Sequence, residues 1–515
     1  MRTIYLFLLA FLPVLCWSCY DDKGNYDYHD LDELVIDSTG GSIQTNYSIG
    51  RMETLNIPLK VYYKGELVNG SENQYPELEF NWVVYQQGSG TPIAERDTIS
   101  EQVELNIPIN LEERQWKLTF TVVNKQTDVR EFMTFGLKVN SSLSEGWMVL
   151  YERDGKTDVG LITNKLIAPD VLQEQTWLDI YSTYNNSPLE GKPKRLIYSK
   201  ATTPEVVMVV SDKDMVAVDP LSFTKLYAFE DLFWSAPAEK APGYYTTFFN
   251  KREFMLNTGK PHTVNFSTGG SNRTSMFFGV PCTGDYGDLA NWCANMSTAY
   301  SGVVYDQTAQ CFKCVKSNQT QVVSLPVQSS EAAFDCNKVG MELVMSDYGR
   351  NNYEYVVMQD KSGHYYLLVA DFCSFMTQTS IGVGKYDMAN CKGVQAGITS
   401  VTAGYKGEIL YYAAGNGVYL YDYKVSNSSG DPVWEDPNGG IVTCIRLQKY
   451  LGTGSMTKIP VNDCEVLYIA TYNEQTGAGT VYQLKVNPSS GAVDKSSQRV
   501  FSGFGKVKDM GWKIE

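Results

Sequence analysis

Apolar and polar residues alternate through the first part of the chain, from about residue 31 to residue 140. Such alternation puts apolar side chains on one face of a β-strand and polar side chains on the other. Short alternating strands between glycine, asparagine and aspartate turns over roughly 110 residues are typical of a β-sandwich. We therefore predict a sandwich over residues 31–140, with Trp82 in its core. The clearest apolar runs are Leu55, Ile57, Leu59 and Val61; Leu78, Phe80, Trp82 and Val84; Trp116, Leu118, Phe120 and Val122; and Met133, Phe135, Leu137 and Val139.

A different pattern repeats after residue 145. Seven times, an apolar strand is followed by a short polar or glycine-containing turn and a second apolar strand. Residues 145–515 divided into seven repeats give 53 residues each, close to the blade length of propeller repeats. We predict a β-propeller over residues 145–515 with seven blades; six or eight blades, or a second sandwich with a smaller barrel, are the alternatives. The repeats run over residues 147–163, 206–219, 245–257, 303–315, 355–371, 409–423 and 466–486.

The composition favours a binding protein over an enzyme. The chain has 43 Lys and Arg against 58 Asp and Glu, which gives a net charge of −15. A field of that sign repels phosphate backbones, so we expect no nucleic-acid partner. Only three histidines are present, His29, His262 and His364. Chemistry that needs several imidazoles is therefore not expected unless all three converge.

The first 18 residues have the features of an export signal. Arg2 supplies a positive charge, and the apolar run over residues 4–15 is too short to span a bilayer, which needs about 20 residues. Ser18 places a small residue directly before Cys19, as a lipoprotein signal peptidase requires. We predict a signal peptide over residues 1–18 and a lipid anchor on Cys19; a soluble exported protein cleaved elsewhere is the alternative.

Residues 19–30 are acidic and rich in turn-forming residues, and they offer little apolar surface to bury. We predict a flexible tether over this stretch. Asp21 and Asp22, which follow Cys19 closely, resemble the signal that sends some Gram-negative lipoproteins to the outer face of the outer membrane. A solvated linker without a sorting role is the alternative.

Three segments of the chain resemble the PKD-like family of surface lipoproteins. They are the leader from Cys19 to Tyr26, the sandwich strand from Phe80 to Val84, and the junction Ser144-Glu145-Gly146-Trp147-Met148-Val149-Leu150. The resemblance implies an accessory lipoprotein of a starch-utilisation-type, TonB-dependent importer in the outer membrane, exposed at the cell surface. It implies an outer-membrane barrel and a lid lipoprotein as partners, and an oligosaccharide or oligopeptide as ligand. The family has no catalytic residues to carry over.

Motifs for catalysis and cofactor binding are missing from the sequence. It contains no Gly-x-Ser-x-Gly elbow, no His-Glu-x-x-His and no phosphate-binding loop. We therefore expect no catalytic residue, no metal site and no cofactor. A propeller hydrolase or lyase acting on glycans, with paired carboxylates at the channel mouth, is one alternative. A structural scaffold that docks an importer is the other.

Nine cysteines follow the leader, and export permits disulfides. Local pairs are geometrically the easiest, so Cys282–Cys293, Cys373–Cys391 and Cys444–Cys464 are guesses at the connectivity. Cys311 and Cys314 are spaced as in zinc and redox sites, but no second ligand pair accompanies them. A structural role is the stronger interpretation of these cysteines.

Aromatic residues in two polar insertions of the propeller are candidates for ligand binding. Aromatic faces beside Asp or Asn suit sugar rings or peptide side chains, because the ring covers C–H surface while the polar groups bind hydroxyls or amides. The alternative is that these rings pack the insertions onto the blades. The candidates are Trp234, Tyr244, Tyr245, Tyr286 and Trp292.

The predicted anchor can be tested by replacing Cys19 with Ala. A lipoprotein needs this thiol for diacylglycerol attachment, so the Cys19→Ala variant should leave the membrane fraction. The measurement is the amount of protein retained on washed membranes, with Cys16→Ala as the matched control that should remain bound. Full retention of the Cys19→Ala variant would contradict the anchor.

Overall fold

The computed structural model describes most of the chain after residue 32, as two compact units that divide at Asn140. The predicted signal peptide, the tether and Cys19 lie outside the described residues. Across the described ranges, no helix has both the length and the apolar character needed to cross a membrane. These ranges are 33–39, 43–50, 53–68, 74–86, 96–109, 111, 114–140, 143–169, 171, 174–200, 202–248, 252–264, 272–294, 300–317, 319–373, 379–450 and 461–513.

The first unit is a β-sandwich. Its five-stranded sheet has the order β2-β10-β9-β6-β7, and a three-stranded sheet β1-β4-β5 and a two-stranded sheet β3-β8 complete it. The strands are β1 Leu34–Asp37, β2 Asn46–Gly50, β3 Thr54–Ile57, β4 Lys60–Tyr63, β5 Glu66–Leu67, β6 Leu78–Gln86, β7 Asp97–Ser100, β8 Leu105–Pro108, β9 Gln115–Asn124 and β10 Arg130–Asn140.

Trp82 lies in the core of the sandwich, as its position in an alternating strand predicts. Its side chain is fully buried, and its indole Nε1–H donates to the carbonyl of Gln102 at 2.9 Å. The rings of Phe120 and Phe135 pack against it at 4.9 and 5.9 Å. The predicted apolar runs are confirmed, with one difference. The run from Leu55 to Val61 is two strands in different sheets, β3 and β4, which are separated at Pro58, a residue without a backbone N–H.

The second unit contains strands β11 to β39 and one short helix. Seven sheets form it within the described residues. Its elements are β11 Gly146–Arg153, β12 Lys156–Thr163, β13 Gln175–Trp177, α1 Ile180–Asn185, β14 Leu189–Glu190, β15 Pro193–Ser199, β16 Val206–Ser211, β17 Met215–Val218, β18 Lys225–Tyr227, β19 Pro242–Phe248, β20 Arg252–Asn257, β21 Lys260–Thr263, β22 Thr283–Gly284, β23 Tyr300–Asp306, β24 Cys311–Lys316, β25 Gln321–Ser324, β26 Glu342–Tyr348, β27 Glu354–Gln359, β28 Tyr365–Ala370, β29 Gly382–Asp387, β30 Ile398–Ala403, β31 Ile409–Ala414, β32 Gly417–Asp422, β33 Ser428–Ser429, β34 Trp434–Glu435, β35 Ile441–Leu447, β36 Val466–Asn473, β37 Ala478–Val486, β38 Val493–Phe504 and β39 Lys506–Lys513.

The seven sheets follow one another along the chain and close into a ring. Seven apolar clusters each lie between two consecutive sheets, and the last cluster joins the seventh sheet to the first. Each predicted strand pair falls within one sheet, so the predicted seven-bladed β-propeller is confirmed over the described residues. The sheets are β39-β11-β12-β13 with β14, β15-β16-β17-β18, β19-β20-β21, β23-β24-β25-β22, β26-β27-β28-β29, β30-β31-β32 with β33 and β34, and β35-β36-β37-β38.

The ring is closed by the C-terminal strand. β39 pairs antiparallel with β11, from Gly146 opposite Lys513 to Glu152 opposite Lys506. The two ends of the propeller chain therefore share the first sheet. Trp147 on β11 stacks on the ring of Tyr468 in the seventh sheet, with ring centroids 3.8 Å apart. This contact adds apolar packing to the closure.

A fully buried ion pair lies beside the third sheet. Arg273 donates to the two carboxylate oxygens of Glu253 at 2.6 and 2.5 Å, and both side chains are at most 1% exposed. The hydroxyl of Tyr245 donates to the same carboxylate at 2.6 Å. The backbone N–H of Arg273 donates to the carbonyl of Thr203 at 3.0 Å, so the pair also contacts the segment after β15.

Arg273→Met should destabilise the propeller strongly, because it leaves the Glu253 carboxylate buried without its cation. We expect a loss of about 3–5 kcal/mol in the free energy of unfolding. The exposed pair Lys156–Glu190 provides the control, and Lys156→Met should cost less than about 1 kcal/mol. Denaturant unfolding of both variants measures the difference. Equal losses of unfolding free energy in Arg273→Met and Lys156→Met would show that Arg273 does not stabilise the buried Glu253 carboxylate.

Candidate functional site at the centre of the propeller

The inner strand of each propeller sheet, which is the first strand in each order given above, needs hydrogen-bond partners beyond its own sheet. Each is the edge strand of its sheet, so one row of its N–H and C=O groups has no ladder partner. Unpaired backbone groups away from water are costly. Side chains on a neighbouring sheet supply some of these partners. Ser400 Oγ accepts the N–H of Ile445 at 3.0 Å, and Thr402 Oγ1 accepts the N–H of Leu447 at 3.1 Å.

Asp509, on the closing strand β39, binds to the sheets on both sides of it. Its Oδ2 accepts the N–H of Leu196 at 3.1 Å and an Nη1–H of Arg195 at 3.2 Å, both from β15. Its Oδ1 accepts an Nη2–H of Arg446 on β35 at 2.9 Å. Burial alone would raise the pKa of the Asp509 carboxyl, but Arg195 and Arg446 hold it below its usual range. One carboxylate therefore joins the second, first and seventh sheets.

Asp347 and Lys449 join the fifth, sixth and seventh sheets in the same way. The Asp347 carboxylate, on β26, accepts the hydroxyl of Thr402 at 2.8 Å and the N–H of Ala403 at 2.9 Å. Lys449, which follows β35, donates its Nζ–H groups to the same carboxylate and to the carbonyls of Ala403 and Tyr348, the last at 2.6 Å. Its ammonium also lies 4.3 Å from the Tyr348 ring centroid. The ammonium is thus fully engaged by protein groups.

Glu354, the first residue of β27, lies buried near both ion pairs, with only 6% exposure. Burial raises its pKa, and the neighbouring Asp347 raises it further, to about 8; Lys449 and Arg195 act in the opposite direction. The carboxyl is therefore protonated at neutral pH and can donate a hydrogen bond. Within the described part of the chain it has no side-chain hydrogen bond.

These side chains form a cluster that we call the charged centre. At neutral pH it holds three cations and two carboxylates, because Glu354 is neutral, so its net charge is +1. Its hydrogen bonds hold inner strands of different sheets together. The Oδ2 atom of Asp347 accepts three of these hydrogen bonds, from Thr402, Ala403 and Lys449. The members are Arg195, Asp347, Glu354, Arg446, Lys449 and Asp509.

The aromatic residues predicted to bind ligand are not assembled into one surface. Trp234 is 71% exposed and lies in the loop before β19, with its ring 4.7 Å from that of Phe277. Tyr244 is half-buried on the inner strand β19, where its ring lies 5.3 Å from the guanidinium carbon of Arg195. Trp234 therefore faces solvent, whereas Tyr244 adjoins the charged centre.

The other three predicted residues point into the protein. Tyr245 is fully buried, and its hydroxyl contacts the carboxylate of the Glu253–Arg273 ion pair. Trp292 is 6% exposed and packs against the rings of Phe312 and Phe372. Tyr286 is half-buried, and its hydroxyl donates to the carbonyl of Cys282 at 2.8 Å. Burial leaves Tyr245 and Trp292 no open ring face, so the structure gives them a packing role.

The guessed disulfides are not formed. All nine cysteines after the leader are free thiols in the structure, and eight of them are buried in the packing between strands. Cys311 and Cys314 lie on β24, with Cys314 in an apolar cluster. Among the described residues, no group of three or more Asp, Glu, His or Cys side chains is arranged to hold a metal ion.

The charged centre was missed by sequence reasoning. Its signal is a charged residue inside a mainly apolar strand, as at Arg446 in Thr443–Leu447. Charged residues are rarely buried unless paired, so such positions indicate a buried ion pair once the strand is known to be internal. The partners lie 63 to 314 residues apart and could not be paired from sequence alone.

The protein is all-β, with an N-terminal sandwich followed by a propeller. Residues 19–193 match the model of the PKD-like family, which covers the sandwich and the first strands of the propeller. The expected PKD-like part is therefore confirmed. The comparison with curated proteins found no match.

Several solved structures are similar to this chain in fold. A quinonprotein alcohol dehydrogenase-like protein from Bacteroides thetaiotaomicron is 14% identical with a TM-score of 0.42, and the match covers 94% of this chain and 100% of that one. The WD40 domain of SCAP from fission yeast is 9% identical with a TM-score of 0.34, over 61% of this chain and 74% of that one. Regucalcin, a calcium-binding protein from Agrobacterium tumefaciens, is 10% identical with a TM-score of 0.30, over 61% of this chain and 90% of that one. These scores are too low to carry an argument about function.

Glu354→Gln should change the pH dependence of stability. Because the pKa of Glu354 is raised from 4.5 to about 8, its contribution is full below pH 4.5 and is lost as the pH rises through about 8. The wild type should therefore lose stability relative to Glu354→Gln across this window. Chemical unfolding at several pH values measures this, with exposed Glu435→Gln as the control. If the unfolding free energy of the wild type and of Glu354→Gln changes with pH in the same way, the raised pKa of Glu354 is contradicted.

Proposed function

We propose that the protein is a cell-surface lipoprotein that acts as a non-catalytic binding subunit of an outer-membrane uptake system for oligosaccharides or oligopeptides. The leader with Cys19 would anchor it. A TonB-dependent barrel and its lid lipoprotein would be its partners. The match to the PKD-like family begins at Cys19, the predicted first residue of the mature chain, which supports this arrangement.

The observation that carries the proposal is the contrast between the buried charged centre of the propeller and an exposed aromatic side chain on one of its loops. Most side chains of the charged centre hold inner strands together, whereas Trp234 is exposed on a loop. A rigid ring that leaves its loops free to vary is suited to binding. Trp234 and the adjacent Phe277 present aromatic surface of the kind that contacts sugars or peptide side chains.

A second candidate function is glycan hydrolysis or elimination, and one observation favours it. The pKa of Glu354 is raised to about 8 by burial and by the neighbouring Asp347 carboxylate, and two neighbouring carboxyl groups, one of them able to act as an acid, are the usual arrangement in glycosidases. Turnover that disappears in Glu354→Gln would establish this function in place of the first.

The proposed function is tested by isolating the tagged full chain from detergent-solubilised membranes. A barrel and lid pair should co-purify with the wild type in near-equal amounts, as identified by mass spectrometry, and should be absent with Cys19→Ala. The same preparation should release no product from oligosaccharides or peptides. Recovery of the chain alone, or steady product release, would contradict the proposal.

Trp234→Ala and Trp292→Ala should have opposite effects. Trp234 is exposed, so its loss should weaken ligand or partner binding by about 1–3 kcal/mol and leave the melting temperature almost unchanged. Trp292 is buried, so its loss should reduce stability by about 3–5 kcal/mol. Calorimetric titration and thermal unfolding of both variants measure the contrast. If Trp234→Ala binds every candidate as well as the wild type, Trp234 is not the contact.

A further inference from the structure

We propose that the charged centre binds the carboxylate group of a small ligand. Arg195 would be the principal contact, and Tyr244 and Glu354 would donate further hydrogen bonds. This site is separate from the exposed Trp234, so the inference holds whether or not the proposed function does.

Several N–H groups of Arg195 have no hydrogen-bond acceptor among the described residues. A guanidinium carries five N–H groups, and Arg195 donates one hydrogen bond, from Nη1 to Asp509. Its Nε is enclosed with no acceptor among the described residues. Arg446, by contrast, donates to Asp509 and to the carbonyls of Val401 and Ile445. Since 26% of the Arg195 side chain is exposed, part of the guanidinium-bearing side chain is accessible to a small molecule.

The charge balance favours an anion at this point. Arg195 and Arg446 share the single carboxylate of Asp509, whereas Lys449 and Asp347 form a balanced pair. An uncompensated cation away from bulk water is costly. A monovalent anion would neutralise the excess charge of +1. A doubly charged phosphate would instead leave excess negative charge beside Asp347 and Asp509.

Tyr244 adjoins Arg195, and Glu354 is near enough for Arg195 to lower its pKa. The ring of Tyr244 lies 5.3 Å from the Arg195 guanidinium carbon, and burial raises the Tyr244 pKa to about 12, so the hydroxyl keeps its proton. Glu354 is protonated at neutral pH, and neither side chain has a hydrogen bond to the described residues. A carboxylate offers about four acceptor sites, which three donors of this kind can occupy. An acidic sugar and a peptide C-terminus both carry this group.

The test is calorimetric titration of the full chain in detergent with two acids and their neutral counterparts. D-glucuronate is compared with D-glucose, and N-acetylalanine with N-acetylalanine amide. At least one acid should bind about tenfold more tightly than its counterpart. Preference for glucuronate would assign the site to acidic sugars, and preference for N-acetylalanine to peptide C-termini. If neither acid exceeds its counterpart, the proposal is wrong.

Variants localise the binding to Arg195. Arg195→Lys keeps the charge beside Asp509 but removes the spare N–H groups, so it should lower acid affinity about tenfold or more. Arg499→Lys, in the exposed pair with Glu174, should bind as the wild type does. Tyr244→Phe removes only a hydroxyl, and it replaces Arg195→Lys as the test variant if Arg195→Lys has a lowered melting temperature. Wild-type affinity in both Arg195→Lys and Tyr244→Phe would overturn the proposal.

The pH dependence gives an independent check. Acid binding should weaken between about pH 6 and about pH 9, because ionised Glu354 would repel the ligand, and Glu354→Gln should abolish this change. The two thiols and the tyrosine that face Glu354 have raised pKa values, so they keep their protons in this range. A pH-independent affinity in the wild type would contradict the role of Glu354. The charged and titratable groups around Glu354 are Arg195, Tyr244, Cys293, Asp347, Cys373 and Lys449.

Discussion

The carboxylate of Asp509 is the contact on which the propeller most depends. It lies on the C-terminal strand β39, which must be held within the first sheet and against the sheets on both sides. Asp509 meets Arg195 and Leu196 on one side and Arg446 on the other. Backbone pairing with β11 and the stack of Trp147 on Tyr468 complete the closure. The ring is thus closed by an ion pair, a strand ladder and an aromatic contact.

The inner strands explain why the centre is charged at all. An edge strand at the centre of the propeller has no further strand of its own sheet to pair with, so side chains must satisfy its N–H groups. Hydroxyls serve at Ser400 and Thr402, and carboxylates serve at Asp347 and Asp509. Carboxylates there require cations, because burying a lone charge is costly. Within the charged centre, Arg195 has a guanidinium nitrogen without an acceptor among the described residues, which makes it the candidate contact for a ligand.

Much of the fold could be predicted from the sequence, because middle strands of several sheets contain continuous apolar runs. Strand β31 is buried along its whole length, and strand β36 is buried from Val466 to Thr471. Inner strands such as β35 mix polar and apolar residues, and their partners lie far away in sequence. Trp234 and Trp292 both occur in polar insertions, and only the packing of Phe312 and Phe372 around Trp292 distinguishes their roles. Whether a loop residue is buried depends on tertiary packing, which the local sequence does not determine.

Hydrogen exchange in Asp509→Asn tests most directly whether this carboxylate closes the ring. The substitution keeps the shape of the side chain but removes its charge, so Arg195 and Arg446 lose their shared counter-ion. Peptides that cover β39 and β15 should exchange at least about tenfold faster than in the wild type, while peptides of the sandwich should not change. Asp431→Asn, at an exposed pair with Lys392, is the control. Unchanged protection of β39 in Asp509→Asn would contradict the account.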